Sequence, residues 1–288
     1  MRDPDAYLTD RLGDYAVRFI EAQKENPFLV YLPFNAVHGP FQATRAQVEA
    51  VRDEPDPKRR LVKAMLASMD ANVGKVLEAL RRNGLEENTI VIFLSDNGGH
   101  EASPNKPLRG KKATYWEGGL RVPFCVQWKG TVAKGTKVTH PVISLDVLPT
   151  LVEAAGGTVD AAWNLDGKSL LPLIRGETTR APHDALYWVW GARKAIRRGP
   201  LKALSHDGGK SWQLYNLVQD IGEADDLADK RPRLLQDLVA QHGKWEGTLI
   251  PQQWGWNKAL GVKDPLFGKP RPYHAPGYFD ASKKEPAQ

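Results

Sequence analysis

Three short segments of the sequence combine residue types that could hold an anion or a hard cation. Asp96 and Asn97, followed by two glycines, offer side-chain oxygens, which are the ligands that calcium and magnesium take in proteins. The glycines allow the backbone to turn tightly. His38 could act as an acid, a base or an anion contact near neutral pH. Lys112 offers a compact positive charge that suits an oxyanion.

Each segment also has an interpretation without chemistry. Asp-Asn-Gly-Gly is a good turn in its own right, and a lone histidine in a loop is commonly a surface residue. The basic run that ends at Lys112 could be a solvated loop. Cys125 lies within an apolar run, which predicts a buried, inert thiol rather than a nucleophile.

The segments that position these residues alternate between helix and strand. Apolar periodicity and continuous apolar runs predict helices over 10–24 (with Thr9 as N-cap), 58–83 and 144–155, and buried strands over 28–32, 89–94 and 123–128. This alternation is typical of an α/β protein with a largely parallel sheet. His38 and the Asp96-Asn97 pair each follow the end of a predicted strand. Ligands bind at that edge of such sheets, so the topology allows these residues to converge.

The pattern changes after residue 184. Short apolar or aromatic runs over 186–190, 195–198, 201–204 and 212–215 predict a small antiparallel sheet, and a helix is expected over 231–246. Residues 248–288 are rich in proline and aromatic residues without a clear period, which predicts an irregular surface tail. The expected organisation is therefore a core over 1–183, a small subdomain over 184–247 and the tail over 248–288.

Composition excludes several classes of protein. The 288 residues are 41% hydrophobic and 26% charged, which indicates a globular chain rather than a disordered or rod-like one. The longest apolar runs fall far below the ~20 residues of a membrane span, so none is expected, and no apolar segment of a signal peptide follows Met1. The net charge of +6 is spread along the chain and does not favour nucleic-acid binding. A single cysteine excludes an internal disulfide.

Taken together, several motifs closely resemble the type I sulfatase family, which includes arylsulfatases and glycosaminoglycan sulfatases. The resemblance covers about residues 7–240, and it is carried by segments 28–40, 94–99, 107–112, 116–123, 166–173, 214–217 and 223–227. It implies an alkaline-phosphatase-like α/β core with a mostly parallel sheet, followed by a small C-terminal antiparallel sheet plus helix. It also implies hydrolysis of sulfate esters, expected here to be those of a carbohydrate. The family uses a calcium ion and a formylglycine made from Cys or Ser.

The resemblance assigns a role to each candidate residue. Asp96 and Asn97 would be calcium ligands, and Lys112 would contact the sulfate and help to neutralise the leaving oxygen. His38 would hydrogen-bond the sulfate or the leaving group and act as its acid. Positive charge placed at the transferring group is an effective way to stabilise such a transition state. The family is usually exported, so analogy predicts a periplasmic or extracellular location.

The sequence lacks other parts of the family's site. The Cys/Ser-x-Pro-x-Arg motif of the nucleophile is absent, because Cys125 is followed by neither the proline nor the arginine, and the family's paired aspartates have no counterpart. Two oxygen-bearing residues are too few for calcium, which takes ~6–8 oxygens. The chain alone is therefore predicted to be an inactive fragment of a sulfatase.

Two other functions fit the same residues. A phosphodiesterase or phosphonate hydrolase of the alkaline phosphatase superfamily would use similar site chemistry and would differ in its nucleophile. A non-catalytic protein could bind sulfated glycans with the sulfate pocket or by stacking sugars on Trp254, Trp256 and Tyr273, although these aromatic residues would also suit surface packing.

Overall fold

The computed structural model describes residues 7–100 and 102–250. They form two compact units, residues 7–89 and residues 90–250. Almost all of the predicted tail, with its three candidate stacking residues Trp254, Trp256 and Tyr273, lies outside the described residues. No helix in the described ranges is both long enough and apolar enough to cross a membrane.

The first unit is helical, with α1 over Leu8–Gln23, α2 over Arg45–Glu49 and α3 over Pro57–Arg82. The long helices confirm the predictions for 10–24 and 58–83. Helix α3 begins where the Asp56 side chain accepts a hydrogen bond from the Arg59 backbone at 2.7 Å. The predicted N-cap Thr9 is wrong, because α1 begins earlier and Thr9 lies buried within it. Its hydroxyl instead lies 3.2 Å from the Asn35 side chain.

Polar side chains fix α1 against α3. The Asp10 carboxylate accepts hydrogen bonds from the Ser68 hydroxyl and the Asn72 amide, both at 2.7 Å. Asn72 is almost fully buried and also donates to the Ser68 carbonyl, so its side chain is held in place. The helices approach closely at Gly13, where a Cβ atom would lie 2.2 Å from the Asn72 Oδ1.

The strand predicted over 28–32 does not form. The segment has no strand partner among the described residues, and Leu29 and Tyr31 are 72% and 86% exposed. Phe28 is covered on the other side, where its ring contacts Phe19 edge-on at 6.2 Å. An apolar run predicts burial but does not specify a partner for the backbone, so the expectation of a strand buried on both faces was wrong.

The second unit contains two sheets. Strands β1 (Val91–Leu94) and β2 (Phe124–Gln127) pair antiparallel, with Val91 opposite Gln127. Strands β3 (Leu186–Trp190), β4 (Arg193–Arg198), β5 (Leu201–Ser205) and β6 (Gln213–Asn216) form an antiparallel meander. The helices are α4 (Glu117–Leu120), α5 (Val147–Ala154), α6 (Leu171–Ile174) and α7 (Pro232–Glu246). The predicted strands from 89 to 215 and the helices over 144–155 and 231–246 are confirmed with small shifts of their ends.

The pairing of the described strands differs from the expected parallel arrangement, since both sheets are antiparallel. The prediction that Cys125 is buried was also wrong, because its thiol is exposed. Strand alternation explains this result. Phe124 and Val126 pack against the core cluster that contains Leu171, so Cys125 between them points to the opposite face.

The four-stranded sheet is covered on both faces. Ile196, Ala203 and Leu214 pack with Leu238 of α7 on one face. Ala195, Leu204 and Tyr215 cover the other face, where they pack with Tyr115 and the partly buried Trp116 and Leu120. The segment that follows Lys112 therefore lies directly on the second face of this sheet.

A Gly13→Ala substitution tests the close contact between α1 and α3. The added methyl group collides with a side chain that cannot move freely, so we expect a loss of about 1–3 kcal/mol in the free energy of unfolding. Gly74→Ala is the matched control, since an added Cβ there meets nothing within 4 Å and should stabilise α3 by about 0.5–1 kcal/mol. Denaturant titrations of both variants measure the difference, and equal effects would contradict the described packing.

Candidate active site

Backbone hydrogen bonds join the Asp96-Asn97 turn to the loop that carries Lys112. The turn follows β1, and the Ser95 hydroxyl donates to the Asn97 carbonyl at 3.0 Å. The backbone N–H of Gly98 donates to the Gly119 carbonyl at 3.1 Å, and that of Lys112 donates to the Gly99 carbonyl at 2.9 Å. The backbone of Lys112 is therefore anchored at Gly99, which follows Asp96 by three residues.

The side chain of Asn105 strengthens this connection. Its Oδ1 accepts a hydrogen bond from the Gly99 backbone at 2.9 Å. Its Nδ2 donates to the carbonyls of Gly99 and Gly110, at 3.2 and 3.1 Å. A primary amide offers both donor and acceptor atoms and can thus bridge two loops. Sequence analysis missed this residue, since one asparagine in a polar loop carries no distinctive signal.

Glycines are required where the two loops meet and within the loop that carries Lys112. A Cβ atom at Gly98 would lie 1.8 Å from the Gly118 carbonyl oxygen, and one at Gly119 would lie 2.2 Å from that of Thr114. Neither contact can be relieved by moving a side chain, because the obstructing atoms belong to the backbone. The pairs Gly98-Gly99 and Gly118-Gly119 are thus explained by close approach of the chain.

The predicted metal ligands Asp96 and Asn97 form a partial site. Asp96 is exposed, and the Asn97 amide nitrogen donates to its carboxylate at 2.6 Å. Among residues 7–100 and 102–250, no group of three or more His, Cys, Asp and Glu could hold a metal ion. Because calcium takes ~6–8 oxygens, the described residues alone do not fit this ion.

His38 lies in the first unit, whereas Lys112, Asp96 and Asn97 lie in the second. Its turn is closed by a hydrogen bond from the His38 backbone to the Asn35 carbonyl at 2.8 Å, and the neighbouring Val37 packs on the core under α3. The His38 ring is exposed, with Nδ1 2.7 Å from the Gly39 carbonyl. A carbonyl only accepts, so this contact places a proton on Nδ1 and leaves Nε2 available to a ligand. Convergence of His38 with the other three residues stays a prediction.

A buried ion network holds the segment after Lys112 on the four-stranded sheet. The Lys202 ammonium of β5 donates to the Glu117 carboxylate at 2.8 Å and lies 2.9 Å from a Glu223 carboxylate oxygen. The other Glu223 oxygen accepts from the Glu117 backbone at 2.6 Å. Lys202 and Glu223 are fully buried, and Arg197 adds a contact to Glu117 at 3.3 Å.

Burial shapes the electrostatics of this network. Desolvation raises the pKa of the Glu223 carboxyl, and the adjacent Lys202 ammonium opposes that rise. Burial likewise raises the pKa of Tyr115 to about 12, which keeps its phenol neutral. Glu223 also has a φ of +54°, a left-handed conformation that is costly for this residue and is maintained by its surroundings.

Sequence analysis missed Lys202, Glu117 and Glu223 as structural residues. Glu117 lies five residues after Lys112, but no neighbouring residue in the sequence indicates its partner. That partner, Lys202, lies 85 residues further along the chain. The one available signal was a charged residue in a strand that is apolar on both faces, since Lys202 shares its face with Leu204 while Leu201 and Ala203 lie on the other.

Comparisons with known proteins identify the class of this chain. The sulfatase family matches residues 2–157, and the family of the N-sulphoglucosamine sulphohydrolase C-terminal region matches residues 110–242. The chain belongs to the sulfatase family.

Two curated relatives show the extent of the similarity. A sulfatase of Formosa agariphila is 33% identical over 259 residues, which covers 78% of this chain and 47% of the relative. The steryl-sulfatase of Mus musculus is 33% identical over 233 residues, covering 75% of this chain and 34% of the relative. The chain thus spans about half the length of the first relative and a third of the second.

Solved structures confirm the fold class. The structure of Ps i-CgsB in complex with k-i-k-neocarrahexaose is 33% identical, with a TM-score of 0.81, and covers 92% of this chain and 60% of its own. The PsFucS1 sulfatase from Pseudoalteromonas sp. is 21% identical, with a TM-score of 0.67 over 84% of this chain and 52% of its own. The chain has the predicted alkaline-phosphatase-like α/β fold, although its described strands pair antiparallel.

Replacing Lys202 by Met tests whether the ion network holds the second unit together. Two carboxylates would be left buried without their common counterion, so we expect a loss of about 3–5 kcal/mol in the free energy of unfolding. Lys230→Met is the control, because Lys230 pairs with Asp225 at 2.7 Å while both side chains are 62% exposed. That variant should change the free energy by at most ~1 kcal/mol. A Lys202→Met variant as stable as the control would show that the network does not stabilise the fold.

Proposed function

We propose that this chain is part of a sulfuric ester hydrolase that acts on sulfated carbohydrate. The observation that carries the proposal is the backbone junction between Gly99 and Lys112, which joins an oxygen-bearing pair to a cationic side chain at one turn. Membership of the sulfatase family supports the type of reaction. The proposal places the nucleophile and the remaining metal ligands outside this sequence.

Hydrolysis breaks the bond between sulfur and the ester oxygen and releases sulfate and an alcohol. The Lys112 ammonium would contact a sulfate oxygen and neutralise charge that develops on the leaving oxygen. With its ring doubly protonated, His38 would keep the Nδ1 proton on the Gly39 carbonyl and deliver the Nε2 proton to that oxygen. Asp96 and Asn97 would be two ligands of the calcium ion, and a formylglycine outside this sequence would be the nucleophile.

The similarity to a carbohydrate-bound structure supports the substrate class. Ps i-CgsB, at 33% identity, was solved in complex with a neocarrahexaose, so a glycan occupies a protein of the same fold. The steryl-sulfatase of Mus musculus has the same identity of 33%, but its match covers 75% of this chain, compared with 92% for Ps i-CgsB. A periplasmic or extracellular location also belongs to the proposal, because sulfated glycans are extracellular materials.

Replacing Lys112 by Ala tests the proposed reaction in the complete protein. Loss of a positive charge that acts on the transition state should lower kcat/KM for a sulfate ester by about 10²–10³-fold. Lys111→Ala is the matched control, since Lys111 is the preceding residue, is exposed and carries the same charge. The rate of sulfate release, measured with an aryl sulfate and with a sulfated oligosaccharide, gives kcat/KM of each variant.

The 288-residue chain assayed alone should release no sulfate, and it therefore serves as the negative control of the activity assay. Equal activities of the Lys112→Ala and Lys111→Ala variants would contradict the role of Lys112. Hydrolysis of an aryl phosphate diester by the complete protein, without any hydrolysis of sulfate esters, would instead favour the phosphodiesterase alternative.

An Asp96→Ala variant of the complete protein tests the proposed metal ligand. Removal of one charged ligand should raise the calcium concentration for half-maximal activity at least ~10-fold, which corresponds to about 1.4 kcal/mol of binding free energy. Asp225→Ala removes an exposed carboxylate that pairs with Lys230 and should leave the calcium requirement unchanged. Titration of chelator-treated protein with calcium measures both, and an unchanged requirement in Asp96→Ala would refute the assignment.

A further inference from the structure

Arginine and tryptophan side chains meet at the turn between β3 and β4. Trp190, the last residue of β3, is 51% exposed. The guanidinium of Arg193, the first residue of β4, lies 4.8 Å from the centre of the Trp190 ring. The backbone N–H of Gly208 donates to the Ala192 carbonyl at 2.8 Å, which brings the loop that contains His206 against this turn.

The same surface continues onto the loop that carries Lys112. The His206 ring lies 5.3 Å from the ring of Trp116, and the Arg109 guanidinium lies 3.7 Å from the centre of that indole. Burial lowers the pKa of His206, and the charges of Arg193 and Arg109 lower it further. Both guanidinium groups thus lie close enough to His206 to disfavour its protonation. We name Arg109, Trp116, Trp190, Arg193 and His206 the basic-aromatic patch.

The acidic residues near the patch are Asp207, Glu117 and Glu223, and hydrogen bonds hold the pKa of the Asp207 carboxyl well below its usual range, so that it stays charged beside His206. Asp207 accepts hydrogen bonds from the Ser205 hydroxyl at 2.8 Å and from the Ser211 hydroxyl at 2.6 Å. The carboxylates of Glu117 and Glu223 pair with Lys202. Within residues 7–100 and 102–250, neither arginine of the patch forms an ion pair with a carboxylate, and Arg109 donates to the Glu223 backbone carbonyl instead. The patch therefore carries two permanent positive charges that form no ion pair among these residues.

We propose that the basic-aromatic patch binds an anionic sugar of a sulfated oligosaccharide, adjacent to the sugar whose sulfate Lys112 contacts. The inference rests on the proposed function and adds a specificity site to it. An exposed indole can stack on the apolar face of a sugar ring, and a guanidinium stacked on an indole keeps its N–H edges free to bind a sulfate or carboxylate. A single aryl or steroid group would offer no second anion to this surface.

The position of the patch in the chain fits this role. Trp116 belongs to the patch and follows Lys112 by four residues, so at most roughly 14 Å of backbone separates them. A neighbouring unit of a glycan chain lies within that reach. The hydrogen bond from the Lys112 backbone to Gly99 and the packing of Trp116 on the sheet fix both ends of this short segment.

Titration calorimetry on the 288-residue chain tests the patch without requiring turnover. The probe is a sulfated carrageenan hexasaccharide, compared with the same hexasaccharide after chemical desulfation. Arg193→Ala and Trp190→Ala should each weaken binding of the sulfated probe at least ~10-fold, since each removes a main contact. Arg198→Ala is the matched control on the same strand, because its guanidinium pairs with Asp237 at 2.6 Å away from the patch, and it should bind within about twofold of the parent chain.

Three results would overturn the proposal: no measurable binding of the sulfated probe, equal binding of the desulfated probe, or equal losses in Arg193→Ala and Arg198→Ala. Thermal melting of each variant identifies a folding defect, and the two patch variants serve as independent checks of each other.

Kinetics of the complete protein separate this inference from the proposed function. Arg193→Ala should raise KM for the sulfated oligosaccharide about tenfold and leave KM for a small aryl sulfate unchanged, because the aryl group does not reach the patch. An equal rise in both would show a merely structural role and overturn the proposal. If no sulfate ester is hydrolysed, the proposed function fails, and the calorimetry still decides the patch.

Discussion

A single buried ammonium group, that of Lys202, determines how the second unit is organised. It lies between two carboxylates from distant parts of the chain, at 2.8 Å from Glu117 and 2.9 Å from Glu223. Each of these charges would be unfavourable alone in an apolar interior, and they are tolerated only when all three are in place. The Glu223 carboxylate also accepts from the Glu117 backbone, so the network fixes the path of the chain as well as its side chains.

This constraint reaches the candidate site through a short segment of backbone. Glu117 lies five residues after Lys112, and Trp116 between them packs against Tyr215 of the sheet at 5.5 Å between ring centres. On its other side the loop contacts the Asp96-Asn97 turn so closely that Gly98 cannot carry a side chain. The position of Lys112 relative to Asp96 is therefore determined from both directions, which is what electrostatic stabilisation of a transition state requires.

Local sequence signals predicted the local structure. The helices and the four strands after residue 184 follow from periodicity and turn residues, because the interactions that form them lie close together in the chain. Non-local features could not be predicted in this way. The apolar run at 28–32 did not reveal that it lacks a partner among the described residues, and β1 did not reveal that it pairs antiparallel with β2. Nothing near Lys202 in sequence points to Glu117. The candidate residues of the site came from their types, their places in the chain and motif resemblance, whereas the backbone contact of Lys112 with Gly99 came only from the structure.

The four-stranded sheet supports the loop that carries Lys112 and also carries part of the basic-aromatic patch. The residues of the first role are buried, whereas Trp190 of the second is half exposed. Lys202 and Leu204 are buried on the face that packs against Tyr115 and Trp116, where a change disturbs the loop that carries Lys112. Trp190 and Arg193 lie at the turn between β3 and β4, where Trp190 is half exposed. If the turn binds a glycan as proposed, substitutions there would alter the preferred glycan without moving Lys112, whereas substitutions at Lys202 or Leu204 would disturb the loop that carries it. A sheet with this division allows substrate preference to diverge within one family while the reacting groups keep their geometry, because variation is confined to residues that contribute little to stability.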